Sequence, residues 1–298
     1  MQPFCYNDGM NMVMLAILFG ALGLILGSFA GAQVWRLRAR QLRDDKKHKE
    51  AYDKSEYKTL KVLLQKDGKD RSRCLQCGHV LAWRELVPLV SWCSTGGKCR
   101  YCRKPIGWFE PLIEVLLALA FVASYLLWPW QLAGSGWILF ALWLISLVVL
   151  AMLVAYDAKW KLLPDILNGV YAVLALAFIA VRYFIVGDVQ GWSLLGSLGI
   201  MAGIYFVLSI VSKGAWIGEG DVKLGVGLGL VLANWQAAFI ALFLANFIGC
   251  IAVLPGLVSK KLKPTSEIPF GPLFVLGTFI SFFASRAIIA WLFTVTIF

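Results

Sequence analysis

Histidine is almost absent from this 298-residue sequence: there are two, His48 and His79, and both lie in the polar stretch between residues 36 and 110. No apolar segment contains one. That excludes the H-E-x-x-H helix of a zinc metalloprotease and a serine–histidine dyad inside a membrane. Charge is scarce as well. Only 15% of residues are Asp, Glu, Lys or Arg, against about 25% in soluble globular proteins, and the mean hydropathy is +0.75. One stretch, Gly225-Val226-Gly227-Leu228-Gly229, has the look of a nucleotide loop. It follows no strand and lies within an apolar run, so it is no dinucleotide cradle. Glycines at that spacing let membrane helices approach closely.

What is present is apolar sequence, 60% of the chain. Eight segments have roughly the 17–25 residues that a membrane-crossing helix needs. They lie near 12–35, 111–130, 136–156, 166–186, 192–211, 222–235, 237–258 and 270–296, the sixth being short and glycine-rich. The expected fold class is an all-α polytopic membrane protein of about eight transmembrane helices. Ala30-Gly31-Ala32 looks like a signal-peptidase site. The run before it is too long for a signal peptide and carries Asp8 but no Lys or Arg, so this helix is expected to be retained.

Residues 36–110 hold 19 of the 28 Lys and Arg. Cytoplasmic loops concentrate these residues, so this loop is read as inside and the N-terminus as outside. Counting forward puts 157–165, 212–221 and 259–268 inside, and the last of these carries Lys260, Lys261 and Lys263. The net charge of +11 is then a topology signal plus attraction to anionic headgroups of the lipid bilayer. No recognition motif accompanies the charge, so nucleic acid is not an expected partner.

The chain divides into three regions: a first transmembrane helix (1–35), a cytoplasmic loop (36–110) and a membrane core (111–298). The loop divides in two. Residues 36–73 alternate Lys with Glu and read as a helical extension of the first span or a solvated linker. Residues 74–110 read as a small folded insert. It carries Cys74-Leu75-Gln76-Cys77 and Cys99-Arg100-Tyr101-Cys102. Two such pairs make two knuckles that close a tetrahedral thiolate shell for structural zinc. Gly78 stands where a knuckle often requires a positive φ. A redox dithiol and a metal-free loop are the alternatives. Disulfides are not expected in a reducing compartment. Cys5, Cys93 and Cys250 read as small apolar residues rather than ligands.

Two aspartates sit at the ends of apolar runs. Asp157 lies in Tyr156-Asp157-Ala158-Lys159-Trp160-Lys161-Leu162-Leu163-Pro164-Asp165, and Asp221 in Gly218-Glu219-Gly220-Asp221-Val222-Lys223. A carboxylate beside lipid costs about 2–4 kcal/mol and is rarely idle. Two carboxylates sharing one proton hydrolyse amides, one activating water and the other polarising the carbonyl. Gly218 and Gly220 are expected to let backbone approach an extended substrate. Pro164 opens a helix, and Asp165 beside it is expected to cap that helix.

Taken in order, Gly27-Ser28-Phe29 with Trp35-Arg36-Leu37, the doubled C-x-x-C, Glu110-Pro111 with Glu114, Asp157 with Leu163-Pro164-Asp165, and the Gly218–Lys223 motif resemble the bacterial type IV prepilin peptidases. These are bifunctional leader peptidases and N-methyltransferases, intramembrane aspartyl proteases of the Gly-x-Gly-Asp type. The resemblance spans nearly all of the chain. It implies Asp157 and Asp221 as the catalytic pair, supported by Gly218, Glu219, Gly220, Lys223, Pro164 and Asp165. It implies cleavage of a short basic leader from prepilin or pseudopilin precursors at the cytoplasmic face of the bacterial inner membrane, after a glycine. It also implies methylation of the new N-terminus from S-adenosylmethionine. Glu219 is available to hold the positive leader. Gly31, Arg38 and Asn168 depart from the family's usual Asn, Pro and Thr. The competing readings are a transporter using Asp157 and Asp221 as cation or proton sites, and a non-catalytic assembly protein in which the aspartates only cap helices. The first predicts acids near the bilayer midplane, whereas these are expected at its cytoplasmic edge.

Overall fold

The computed structural model describes residues 6–64, 71–215, 217–260 and 268–295. Cys5, Lys261 and Lys263 lie outside the described residues. Among those described, all regular structure is helical apart from two isolated bridges. Seven helices are long and apolar enough to cross a membrane. The chain falls into two compact units, Met1–Leu126 and Leu127–Phe298.

The first unit is built on α1 (Tyr6–His48) and α4 (Phe109–Leu126). A side chain on Gly23 would meet Ala118 Cα at 2.6 Å, and one on Gly27 would meet Glu114 Cα at 2.6 Å. The two backbones are therefore in direct contact, as small residues permit between membrane helices. The motif residues around this seam pair with each other: Trp35 Nε1 donates to Glu110 Oε1 at 2.8 Å, and Leu89 N donates to Glu114 Oε2 at 2.8 Å. Of the two readings of 36–73, the helical extension is the one found as far as His48. Its end packs Ala39 and Leu42 on Leu60 of the short helix α2 (Lys54–Leu60), and Arg38 grips Glu56 Oε2 at 2.7 and 3.0 Å. Asp53 caps α2 through the N–H groups of Ser55 and Glu56. The insert also holds one five-residue helix, α3 (Val90–Ser94).

The second unit contains α5 (Ser135–Trp160), α6 (Asp165–Val181), α7 (Gly191–Leu198), α8 (Ile204–Val211), α9 (Glu219–Leu232), α10 (Trp235–Val258) and α11 (Gly271–Val295). A π-helical turn, Gly199–Gly203, joins α7 to α8. The sixth expected span is corrected: α9 has 14 residues, about 21 Å of helix, which falls short of a hydrocarbon core about 30 Å thick. Its glycines serve packing, as their spacing suggests. Gly225 faces the Met201 backbone, Gly227 the Tyr171 ring, and Gly229 Ser197 and Leu198. These pairings run α9 antiparallel to α7 and α8. Ser281 Oγ donates to Ala237 O at 2.6 Å, and Gly277 packs on Ala241 and Ala245, which makes α10 and α11 antiparallel too.

The Gly23–Gly27 seam makes a direct prediction. Gly27→Leu forces apart backbones that touch, at a cost of about 1–3 kcal/mol. Its thermal midpoint in detergent should fall by several degrees. Gly31→Ala, whose new atom would meet its nearest neighbours at 3.8 Å, should melt like the wild type.

Candidate active site

The site forms where helices of the second unit begin and end. α5 stops because Lys161 takes the left-handed conformation and closes its N–H onto Asp157 O at 2.8 Å. Leu162 and Leu163 come next, and Pro164, which cannot continue a helix, starts α6 instead. Asp157 is thereby left in the last turn of α5, 5% exposed. Its Oδ2 accepts a hydrogen bond of 2.8 Å from the backbone N–H of Gly271, the first residue of α11. A side chain on Gly271 would sit 2.8 Å from that same oxygen, so only glycine brings the N–H so close. Sequence reasoning missed Gly271. The available signal was the Phe270-Gly271-Pro272 step at the head of the last apolar run.

Asp221 lies in the first turn of α9, where the helix dipole favours a carboxylate. Gly218 forms the N-cap in extended conformation, and Asp221 N donates to Gly218 O at 3.2 Å. Asp221 is half-buried, and Leu163, in the turn that follows α5, packs on Gly220 beside it, which brings the start of α9 to the end of α5 that carries Asp157. The two aspartates singled out in the sequence, 64 positions apart, thus share one site.

The remaining expected residues fall around them. Pro164 is the N-cap of α6. Asp165 stands in the first turn of α6, and its carboxylate pairs with Lys223 Nζ at 2.6 Å rather than forming the N-cap. Both partners are well exposed, so the pair contributes at most about 1 kcal/mol. Gly220 also has a packing role. A side chain there would meet Leu163 Cβ at 2.8 Å, so its bareness seats α9 against the α5–α6 turn. Asn168 Nδ2 approaches Gly220 O at 3.4 Å. Gly218 and Glu219 are exposed.

Gly249 of α10 packs on Leu273, beside Gly271. From that level α10 continues nine residues to Val258, about 13 Å of helix. Arg182, buried at the end of α6, pairs with Asp188 at 3.1 Å and donates to Val231 O at 2.8 Å, and Arg286 stands exposed on α11.

In the first unit, the Sγ atoms of Cys74, Cys77, Cys99 and Cys102 all lie within 4.8 Å of one another. The two knuckles repeat one geometry. Cys74 N donates to His79 O and Gly78 N to Cys74 O; Cys99 N donates to Lys104 O and Arg103 N to Cys99 O. Gly78 has the expected positive φ of 74°, and Arg103 takes the matching role at 58°. The His79 and Tyr101 rings stack at 3.5 Å between the knuckles. Burial pushes the Cys99 thiol up, but the N–H groups of Cys102 and Tyr101 outweigh it and hold the pKa at about 7. The four sulfurs can hold a metal ion. Cys93 is exposed and stands outside the cluster.

Comparison with known proteins agrees with this arrangement. Residues 21–128 match the bacterial peptidase A24 N-terminal domain, and residues 144–254 match the type IV leader peptidase family. The chain is 31% identical to a prepilin leader peptidase/N-methyltransferase of Pseudomonas aeruginosa, over 87% of each chain. It is 32% identical to one from Dickeya chrysanthemi, over 87% of this chain and 88% of the other. It is 29% identical to a type 4 prepilin-like proteins leader peptide-processing enzyme of Escherichia coli, over 86% and 88%. No solved structure matches. With its aspartate pair joined in one site and both family regions present in order, the chain belongs to the type IV leader peptidase family.

Proposed function

We propose that this chain is an intramembrane aspartic endopeptidase of the bacterial inner membrane, with Asp157 and Asp221 as its catalytic pair. Its substrates are prepilin-type precursors, each a short basic leader joined to an apolar helix. The observation that carries this reading is the meeting of Asp157 and Asp221 in one partly buried site. One carboxylate takes a proton from water as the water oxygen attacks the scissile carbonyl. The other, protonated, polarises that carbonyl. The tetrahedral species then collapses, the C–N bond breaks, and the departing amine receives a proton from the pair. With Oδ2 of Asp157 engaged by Gly271, Oδ1 is the oxygen left for that chemistry. The lysine-rich 36–110 loop supports a cytoplasmic site and an external N-terminus.

Zinc is the proposed occupant of the cysteine cluster. A tetrahedron of Zn–S bonds near 2.3 Å spaces its sulfurs about 3.8 Å apart, and Cys74 and Cys102 stand at 4.0 Å. Zinc there folds the insert and takes no part in hydrolysis. N-methylation of the product from S-adenosylmethionine completes the proposal. Among the described residues no glycine-rich turn joins a strand to a helix, so the methyltransferase half rests on the family alone.

Three outcomes are expected. Purified wild type should cut a prepilin-type peptide, while Asp157→Asn and Asp221→Asn each lose at least 100-fold in rate and elute as folded protein; normal cutting by either would return the aspartates to capping or ion binding. Metal analysis should return roughly one zinc per chain, and Cys99→Ser should lose it and open residues 74–102 to protease. Glu219→Gln should raise KM several-fold for a basic leader and leave a neutral leader unaffected; equal KM values would remove Glu219 from leader binding.

A further inference from the structure

Tyr205 carries a hydroxyl that the fold does not use. It is the second residue of α8 and is 6% exposed. Its ring packs against Phe270 at 5.4 Å and Phe274 at 5.3 Å. Phenylalanine would make those contacts equally well. The phenol oxygen, by contrast, has no hydrogen-bond partner among the described residues. The Asn246 side chain lies near it, outside hydrogen-bond geometry, and donates to Leu242 O at 2.8 Å. A buried hydroxyl without a partner weakens a fold, so its presence calls for an explanation.

Three observations place this oxygen beside the aspartates. The antiparallel pairing of Gly225 with Met201 and Gly229 with Leu198 sets Asp221 level with Tyr205. Asp221 is near enough for its charge to act on the phenol. Phe270, on which the Tyr205 ring rests, adjoins Gly271, the donor to Asp157. The π-helical turn Gly199–Gly203 ends two residues before Tyr205. Its extra residue rotates α8 by about 100° relative to a continuous α-helix. The helix is thus re-aimed immediately before the side chain in question. Tyr171, another buried phenol without a partner, differs: it lies against Gly227, farther along α9 from the site.

We propose that Tyr205 is a further catalytic residue of the peptidase site, donating its hydroxyl hydrogen bond to the substrate's scissile carbonyl oxygen and to the oxyanion formed when water adds. The phenol keeps its proton throughout; the proton exchanges of hydrolysis stay with the aspartate pair. The proposal rests on the peptidase reading above. It explains why a donor is kept buried and unpaired next to two acids: its acceptor arrives with the substrate.

The test uses the full-length protein in detergent and a prepilin-type peptide, with kcat and KM measured for wild type, Tyr205→Phe and Tyr171→Phe. Loss of one oxyanion donor costs on the order of 100-fold in kcat where the donor is ideally placed. We expect Tyr205→Phe to lose 10- to 100-fold in kcat with KM within threefold, and Tyr171→Phe to match wild type. A peptide analogue bearing a tetrahedral alcohol in place of the scissile carbonyl should bind Tyr205→Phe more weakly by a similar factor. Equal kcat in Tyr205→Phe overturns the proposal. So does a lower kcat with undiminished affinity for the alcohol analogue, and so does a variant that fails to elute as folded protein, which would assign the hydroxyl to packing. A wild type that cuts no such peptide removes the peptidase reading itself, and this proposal with it.

Discussion

A carboxylate inside an apolar helix bundle must be given donors or charge partners, and the second unit is arranged around that requirement at Asp157. Its donor is the Gly271 N–H. The first N–H groups of a helix have no partner within the helix, so starting α11 at this point supplies a free donor without using a side chain. The arrangement needs three things at once. α5 must end within a turn of Asp157, which the left-handed Lys161 ensures. α11 must begin opposite it. Residue 271 must lack a Cβ, because one would collide with the oxygen being bound. Pro272, next in the chain, also suits the first turn of a helix, where a missing N–H costs nothing.

Asp221 is accommodated by the same physics with the elements exchanged. It lies in the first turn of its own helix, where the unpaired N–H groups and the dipole favour an anion. The other end of α9 is held by the matching charge: Arg182 donates to Val231 O and Leu232 O at the C-terminus. Its guanidinium is balanced by Asp188, which also accepts from Trp130 Nε1 at 3.1 Å. A helix of 14 residues tied at its start by the Lys223–Asp165 pair and at its end by Arg182 is fixed along its axis. Its glycines then let Met201, Tyr171 and Leu198 close around it. An element too short to span the bilayer can position Asp221 because both of its ends are tied to neighbours.

Much of this was legible in the sequence because it depends on local chemistry. Apolar run length gives the spans. The cysteine spacing gives the knuckles, and even the positive φ at Gly78 comes from the turn that a C-x-x-C needs. The aspartates declared themselves as acids in apolar surroundings. The rest depends on register between distant helices, which spacing does not encode. Gly271 is an ordinary Gly-Pro start until Asp157 is known to face it. The packing role of Gly220 is invisible until Leu163 is found against it. Arg182 passes for an edge residue until Val231 and Leu232 are seen to end there.

The surroundings of the two aspartates bear on the choice between peptidase and ion pathway. Both use buried acids, so depth alone does not separate them. What the acids face does. An ion site surrounds its carboxylates with oxygen ligands that replace water on a bare cation. Asp157 instead receives an N–H from Gly271, and Asp221 lies among helix N-terminal amides with a phenol nearby. Amide N–H groups repel cations and stabilise anions. They are suited to carboxylates that must exchange protons with a polar, uncharged bond. The donors around the aspartates, more than the aspartates themselves, favour hydrolysis over transport.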